Sequence, residues 1–308
     1  MDLSDIDPAL RDAARRVPKL PILTGFGRAV TAAALRLAPG ARVDGVERRI
    51  VREGAVNVRV YTPADASGAA LLWMHGGGLV IGAAAMDDRF CGVTARETGV
   101  TIVSVDYRLP PRHPFPEPLD DCAAAFQWMR AHATELGVDP LRVAVGGQSA
   151  GGGLAAALVQ RLHDQGVELA AQWLFCPMLD DRTAVDRRLD AAEHYVWDNR
   201  RNLVGWRAYL GDEVGAAVLP PYASAARRDD LRGLPPTWSY ASDVELFYAE
   251  ARAYADRLRA AGVQVHFETV PGAPHGFEAF ATDSAPAQAL LAGARGWLRA
   301  RLEVASAS

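Results

Sequence analysis

Hydrophobic positions along the chain follow two alternating periods, which predict strands and helices in turn. After a Glu53-Gly54 turn, Val56, Val58 and Val60 alternate with polar residues, so a strand hairpin is expected from about Val43 onward. Short apolar runs follow, most of them ending in Gly, Pro or Asp, which is typical of buried strands. These predicted strands span residues 69–74, 101–106, 142–146, 171–176, 237–241 and 263–270.

Helical spacing of apolar residues separates these strands. It runs through residues 119–133, 154–163, 247–261 and 285–302. Because strands and helices alternate, the sequence predicts an α/β fold in which a mostly parallel central sheet carries helices on both faces.

Two segments depart from this alternation. Residues 1–40 are rich in Ala, Arg and Leu with helical spacing, and residues 180–232 are charged, carry Trp197 and Trp206, and lack a strand pattern. We therefore expect N-terminal helices over 1–42 and an α/β domain over 43–308, which is interrupted at about 180–232 by an inserted helical lobe.

Composition narrows the class of protein. Of 308 residues 50% are hydrophobic, and the net charge is −4, so the chain can bury a large core and nucleic acid is not an expected partner. Residues 68–86 lack Asp, Glu, Lys and Arg, but three consecutive glycines and His75 within them argue against a membrane span. Three widely spaced cysteines and an acidic N-terminus without a signal-peptide pattern predict a cytoplasmic protein.

The first candidate for chemistry is the serine in Gly147-Gln148-Ser149-Ala150-Gly151, which follows a predicted strand and opens a predicted helix. In that context the G-x-S-x-G pattern holds a serine on a sharp turn with its hydroxyl exposed. A nucleotide-binding turn is the alternative, but neither the glycine spacing of a dinucleotide fingerprint nor the Gly-Lys-Ser/Thr ending of a P-loop is present. Ser149 is therefore the predicted nucleophile.

The second candidate is His75-Gly76-Gly77-Gly78, which directly follows another predicted strand. Ester hydrolysis passes through a tetrahedral oxyanion, which preorganised backbone N–H groups stabilise. Consecutive glycines let the main chain approach a ligand, so this run together with the serine turn predicts an oxyanion-binding loop. We expect His75 to order the loop rather than to act as a base.

The predicted base is His275, in a turn-rich loop after the last predicted strand. It follows both the serine turn and an acid-bearing strand end, in the order Ser, Asp or Glu, His. Asp243 and Glu245 remain as candidates for the acid, whereas Glu250 is expected to be a solvated residue of the following helix. No HExxH motif and no paired Cys/His spacing occurs, so no metal site is predicted.

Together these motifs resemble the bacterial hormone-sensitive-lipase family (family IV) of carboxylesterases, within the α/β-hydrolase superfamily. The resemblance runs from about residue 43 to the C-terminus. It rests on HGGG at 75–78, DYRL at 106–109, HPFP at 113–116, GQSAGG at 147–152 and HGF at 275–277, in that order.

The resemblance implies an α/β-hydrolase fold in which the N-terminal helices and the 180–232 lobe form a helical cap over the acyl pocket. It also implies that Ser149 is the nucleophile and His275 the base. The oxyanion hole that it implies consists of the N–H groups of Gly77, Gly78 and Ala150.

Two positions depart from the family pattern. Many relatives have Asp where this chain has Gln148, so an interaction beside the nucleophile is expected to differ. When the following helix is aligned with the family pattern, the usual triad Asp falls on Glu245, and Asp243 lies two residues earlier. The resemblance therefore places the triad acid at Glu245.

The sequence as a whole predicts a serine carboxylesterase that cleaves short-to-medium acyl esters of small molecules through an acyl-enzyme intermediate and needs no cofactor. An amidase or N-acyl hydrolase is the alternative on the same machinery. A further alternative is a non-catalytic binding protein, like the plant hormone receptors of this fold. Such receptors lack the histidine that is present here as His275. Oligomeric state stays open, with a homodimer as one alternative.

The inserted lobe carries three large aromatic residues, Trp197, Trp206 and Tyr209. They are interpreted either as narrowing the pocket or as the core of the lobe.

Overall fold

The chain is described by a computed structural model over residues 2–18, 20–37 and 40–304. The predicted units 1–42 and 43–308 also include residues 1, 19, 38, 39 and 305–308, which lie outside the described residues.

Eight strands of the described chain form one sheet, in the order β1-β2-β4-β3-β5-β6-β7-β8. The hairpin β1–β2 and the pair β2–β4 are antiparallel, and the five remaining pairs are parallel. The strands are β1 Val46–Glu53, β2 Val56–Pro63, β3 Ala70–Met74, β4 Thr101–Val105, β5 Val143–Gln148, β6 Ala171–Phe175, β7 Thr237–Ser242 and β8 Val265–Val270. The predicted mostly parallel sheet is confirmed, with each strand inside or within two residues of its predicted range.

Helices alternate with the strands of the sheet, and further helices precede β1 and lie between β6 and β7. Their bounds in the described residues are α1 Arg11–Arg16, α2 Gly25–Leu37, α3 Asp88–Thr98, α4 Glu117–Ala131, α5 Ala133–Leu136, α6 Ala150–Asp164, α7 Asp181–Val185, α8 Asn199–Leu210, α9 Tyr248–Ala260, α10 Phe277–Phe280 and α11 Ala285–Val304. Between β6 and β7 the described chain forms only helices, 3₁₀ turns and irregular structure, as the pattern of 180–232 predicts. No helix in the described ranges is long and apolar enough to cross a membrane.

The two faces of the sheet build two separate cores. Along β3 the side chains alternate, so that Leu71 and Trp73 enter one core while Leu72 and Met74 enter the other. Every residue of β3 is buried, which explains why this strand reads as a continuous apolar run rather than as an alternating one.

Parallel pairing brings the candidate residues to one edge of the sheet. Met74 at the end of β3 lies opposite Gly147 of β5, so the glycine loop and the serine turn emerge side by side. β7 and β8 pair through Ser242 and Val270, and the segments that follow them carry Glu245 and His275. The carboxyl edge of the sheet is the usual position of binding sites in open α/β sheets.

Candidate active site

Ser149 lies between β5 and α6, in a strained turn. Its φ of 55° and ψ of −120° place a residue with a side chain where L-residues seldom occur. Backbone hydrogen bonds hold the turn, because the Ser149 N–H donates to the Phe175 carbonyl at 2.8 Å and its carbonyl accepts from the Met178 N–H at 3.0 Å. Such strain is typical of the strand-to-helix turn that exposes a nucleophilic serine.

His275 and Glu245 continue from the Ser149 hydroxyl in one hydrogen-bonded line. Ser149 Oγ lies 2.8 Å from Nε2 of His275, and Nδ1 of the same ring contacts Oε2 of Glu245. The other Glu245 oxygen, Oε1, accepts a hydrogen bond of 3.0 Å from the Ser242 N–H. All three functional side chains are buried, so the structure brings together the three residues expected to act as nucleophile, base and acid.

The two other acids of this segment lie away from His275. Asp243 accepts a hydrogen bond of 2.8 Å from the Gly272 N–H through Oδ1, so it ties two loops together. Glu250 was expected to be solvated, and that expectation is wrong. It is buried and accepts hydrogen bonds from the Leu179 N–H at 2.6 Å and from the Thr183 hydroxyl. Burial raises the pKa of Glu250 to about 8.

The glycine loop after β3 passes beside Ser149. Gly77 and Gly78 have φ values of 120° and 58°, both in the left-handed region that favours glycine. Their N–H groups donate to no acceptor within the described residues. Ala150 is the first residue of α6, so its N–H has no partner inside the helix. The three N–H groups expected to bind an oxyanion are therefore free to do so.

His75 stays behind this loop. Its ring stacks on Tyr107 with centroids 4.2 Å apart, and its Nδ1–H donates to the Gly76 carbonyl at 2.7 Å. Burial lowers the pKa of His75, which favours the neutral imidazole. These contacts order the loop, and among the described residues Ser149 Oγ is hydrogen-bonded to His275 and not to His75.

A polar pair beside the site, formed by half-buried Gln148 and buried Glu278, could not be read from the sequence. Gln148 donates from Nε2 to Oε1 of Glu278 at 2.6 Å, and the Tyr240 hydroxyl donates to the other carboxylate oxygen. Burial raises the pKa of Glu278 above its usual range. The only feature of the sequence that points to Glu278 is its position three residues after His275.

A cavity of about 690 Å³ opens above Ser149. The cavity is lined by the three glycines of the loop, by His275 and by residues of both predicted cap segments, among them Val17, Ile22 and Trp197. Trp206 and Tyr209 do not line the cavity but are buried in the core. Of the two interpretations given for these aromatic residues, core packing therefore applies to all three, and Trp197 also lines the cavity.

One group of three potential metal ligands occurs among the described residues, where Cys176, Glu245 and His275 offer atoms within 4.8 Å of one another. Glu245 and His275 are hydrogen-bonded to each other. Burial raises the pKa of the Cys176 thiol. A thiol that stays protonated is a poor metal ligand, since the thiolate is the binding form. We assign neither a metal nor a cofactor to this group.

Comparison with known proteins agrees with this geometry. Residues 71–279 match a family described by the α/β hydrolase fold. The chain belongs to this α/β-hydrolase family, and the predicted family and fold class are confirmed.

Several relatives are named as ester hydrolases. The carboxylesterase NlhH of Mycobacterium tuberculosis is 32% identical over 291 residues, which cover 90% of each chain. The carboxylic ester hydrolase LipN of the same organism is 35% identical over 231 residues, 73% of this chain and 61% of LipN. Among solved structures, the bacterial heroin esterase has a TM-score of 0.89 and 37% identity, covering 97% of this chain and 99% of its own. Esterase LipW from Mycobacterium marinum has a TM-score of 0.84 and 31% identity, covering 97% and 96%.

Proposed function

We propose that this protein is a serine carboxylesterase that hydrolyses small-molecule esters of short-to-medium acyl chains through an acyl-enzyme intermediate. The observation that carries the proposal is the line from Ser149 Oγ to His275 Nε2 at 2.8 Å, continued by Glu245 at Nδ1, on the floor of a cavity. The naming of the relatives as carboxylesterases supports the same reaction class.

The first half of the reaction forms the acyl-enzyme. Ser149 Oγ attacks the ester carbonyl carbon while Nε2 of His275 takes the serine proton. Glu245 holds the imidazole in the tautomer that leaves Nε2 free to accept, and it stabilises the imidazolium that forms. The carbonyl oxygen becomes an oxyanion, which the N–H groups of Gly77, Gly78 and Ala150 bind.

Collapse of this intermediate breaks the bond to the alcohol. His275 gives its proton to the departing alkoxide, so a neutral alcohol leaves. Water then enters, His275 takes one of its protons, and the resulting hydroxide attacks the acyl carbon. When the second oxyanion collapses, Ser149 regains its proton and the carboxylic acid is released.

The cavity supports the proposed substrate size. Its volume of about 690 Å³ lies within the usual range of small-ligand sites, and we propose that residues 1–42 and the 180–232 segment act as its cap. Esters with acyl chains of about two to eight carbons fit within such a space, whereas a long-chain triglyceride exceeds it.

The test is a panel of chromogenic esters of graded acyl length, assayed with the wild type and with Ser149→Ala. The wild type is expected to prefer short chains. Ser149→Ala is expected to lose on the order of 10⁶ in kcat, the precedent for a serine nucleophile, with an unchanged circular dichroism spectrum. Activity within tenfold of the wild type in the folded variant would refute the nucleophile. Matched anilides in the same panel distinguish an amidase, since an amidase would cleave them at comparable rates.

A further inference from the structure

The indole ring of Trp197 lies directly against the backbone of Gly78. A Cβ atom placed on Gly78 would come within 1.9 Å of the Trp197 ring, a distance that real Cβ atoms do not show. The ring therefore covers the side of Gly78 where any larger residue carries its side chain. Trp197 belongs to the 180–232 segment, so this contact joins the proposed cap to the oxyanion loop.

A second residue of the same segment touches Gly78 from another direction. A Cβ atom on Gly205 of α8 would lie 2.4 Å from the Gly78 carbonyl oxygen, so the helix backbone packs against that carbonyl. Gly78 is thus enclosed by two contacts from the 180–232 segment, one with an indole ring and one with a helix backbone.

The position of Trp197 is set by a strained turn rather than by a polar contact. Val196 has a φ of 70°, a region that β-branched residues rarely adopt. The Trp197 N–H donates to the Tyr195 carbonyl at 2.8 Å, which closes a three-residue turn of the uncommon, strained type. The indole N–H has no partner among the described residues, so packing and this turn hold the ring.

We infer that Trp197 is a positioning residue that holds the N–H of Gly78 in the geometry of the oxyanion hole. The inference rests on the proposed function. Three consecutive glycines have wide conformational freedom, yet oxyanion donors are effective only when they are preorganised at the site of the developing charge. Backbone hydrogen bonds to the Gly77 carbonyl and the His75 contact with Gly76 hold the start of the loop. The contact with Trp197 adds a restraint at Gly78 itself. The cap therefore contributes to the chemical step in addition to bounding the cavity.

The first test compares Trp197→Ala with Trp197→Phe on a butyrate ester. Trp197→Ala is expected to lose on the order of tenfold in kcat, because a loosened donor weakens stabilisation of the oxyanion. KM is expected to change less than kcat, and Trp197→Phe, which keeps a ring over Gly78, is expected to recover most of the loss. Trp206→Ala is the matched control, because it removes another buried tryptophan of the same segment that does not line the cavity.

The second test is a double-mutant cycle between Trp197 and Gly78. Gly78→Ala places a methyl group in the ring, so it is expected to be nearly inactive alone. Gly78→Ala combined with Trp197→Ala is expected to be on the order of tenfold more active than Gly78→Ala alone, since the obstacle is gone. The strain of Ala at a positive φ is the same in both backgrounds and cancels in the comparison.

Gly77 provides the control for that cycle. A Cβ atom on Gly77 would lie 2.1 Å from the Ile81 carbonyl oxygen, and no atom of Trp197 is among the three atoms nearest to it. Gly77→Ala is therefore expected to stay inactive with or without Trp197→Ala.

Two results would overturn the inference: additive effects of Gly78→Ala and Trp197→Ala, or a kcat for folded Trp197→Ala equal to that of Trp206→Ala. Ser149→Ala is assayed in parallel. If it is inactive while the cycle is additive, the positioning role is refuted and the nucleophile assignment stands. If it is active, the proposed function fails instead, and with it the oxyanion role given to Gly78.

Discussion

The side-chain amide of Gln148 donates a hydrogen bond of 2.6 Å to the buried carboxylate of Glu278. Gln148 directly precedes Ser149, and Glu278 follows His275 by three residues, so the pair links the segments that carry the proposed nucleophile and the proposed base. The Tyr240 hydroxyl donates to the second oxygen of Glu278. An amide is well matched to this place, because it brings a donor without adding a second charge.

Gln148→Glu is expected to weaken the enzyme more as pH rises. Two carboxyl groups then face each other in a partly buried site, where like charges repel more strongly than in water. Protonation relieves the repulsion at low pH, so we expect a loss on the order of tenfold in kcat near pH 8 and a smaller loss near pH 6. Steady-state kinetics across that range, with thermal unfolding alongside, measure the effect.

The exchanged pair is the control. Gln148→Glu combined with Glu278→Gln restores one amide and one carboxyl group, so activity and Tm are expected to recover toward the wild type. If the double variant is no better than Gln148→Glu alone, the link between the two residues does not determine the geometry of the site.

Glu245 and Asp243 are expected to differ sharply when each is replaced by its amide. Glu245→Gln removes the carboxylate that faces Nδ1 of His275 and favours the wrong imidazole tautomer. We expect a loss of about 10⁴ in kcat, by the precedent of the serine-protease aspartate. The measurement is kcat on protein whose fold is verified by circular dichroism.

Asp243→Asn serves as the comparison, since that carboxylate contacts Gly272 and not His275. Its loss is expected to cost on the order of 1 kcal/mol of stability, as for a lost cap, with kcat close to the wild type. A crippled Asp243→Asn beside a near-normal Glu245→Gln would show that the proposed acid is wrong by two residues.

The sheet was predictable because each of its strands carries a local signal. Buried parallel strands such as β3 are continuous apolar runs, and the hairpin alternates with period two. The serine turn and the glycine loop were equally visible, since the G-x-S-x-G pattern marks the first and three consecutive glycines mark the second. The positive φ values of Ser149, which is strained, and of Gly77, which is not, agree with these patterns.

The surroundings of the site were not predictable, because they depend on contacts between distant segments. Glu250 occupies a helix position that the spacing assigns to solvent, yet the segment after β6 folds over it and supplies its donors. For Trp197 the sequence left two interpretations, pocket lining or the core of the lobe. Its place at the cavity and its packing against Gly78 could be seen only in the structure.

Gly151→Ala is expected to damage the enzyme although alanine favours helices. A Cβ atom there would lie 2.2 Å from the Met74 carbonyl oxygen, so α6 has to move away from β3. We expect a loss of about 1–3 kcal/mol in the free energy of unfolding, the usual cost of overpacking, together with a marked loss of activity. Urea denaturation and ester hydrolysis measure the two effects.

Gly293→Ala makes the same substitution in α11, where nothing lies within 4 Å of the added Cβ. It is expected to raise the free energy of unfolding by about 0.5–1 kcal/mol, because alanine loses less conformational entropy in a helix. Equal effects of the two substitutions would mean that the close approach of Gly151 to β3 is not a constraint.

Glu250 is expected to make the folded protein less stable as pH rises. Its pKa of about 8 in the folded state lies far above the value of about 4.3 for an unfolded chain. Between these values the folded protein holds a proton that the unfolded chain has released. The free energy of unfolding therefore falls with rising pH across that window, by at most about 1.4 kcal/mol per pH unit, and the contribution levels off above pH 8.

Glu250→Gln cannot ionise, so its free energy of unfolding is expected to fall less steeply between pH 5.5 and pH 8 than that of the wild type. Urea denaturation at several pH values gives the slope of the free energy of unfolding against pH. The difference in slope between the two proteins should approach about 1.4 kcal/mol per pH unit, the contribution of one proton released on unfolding. Glu213→Gln makes the same substitution at an exposed position and is expected to follow the wild-type curve. Parallel curves for the wild type and Glu250→Gln would mean that this carboxyl group ionises normally despite its burial. The hydrogen bonds from Leu179 and Thr183 would then fully offset the cost of desolvating its charge.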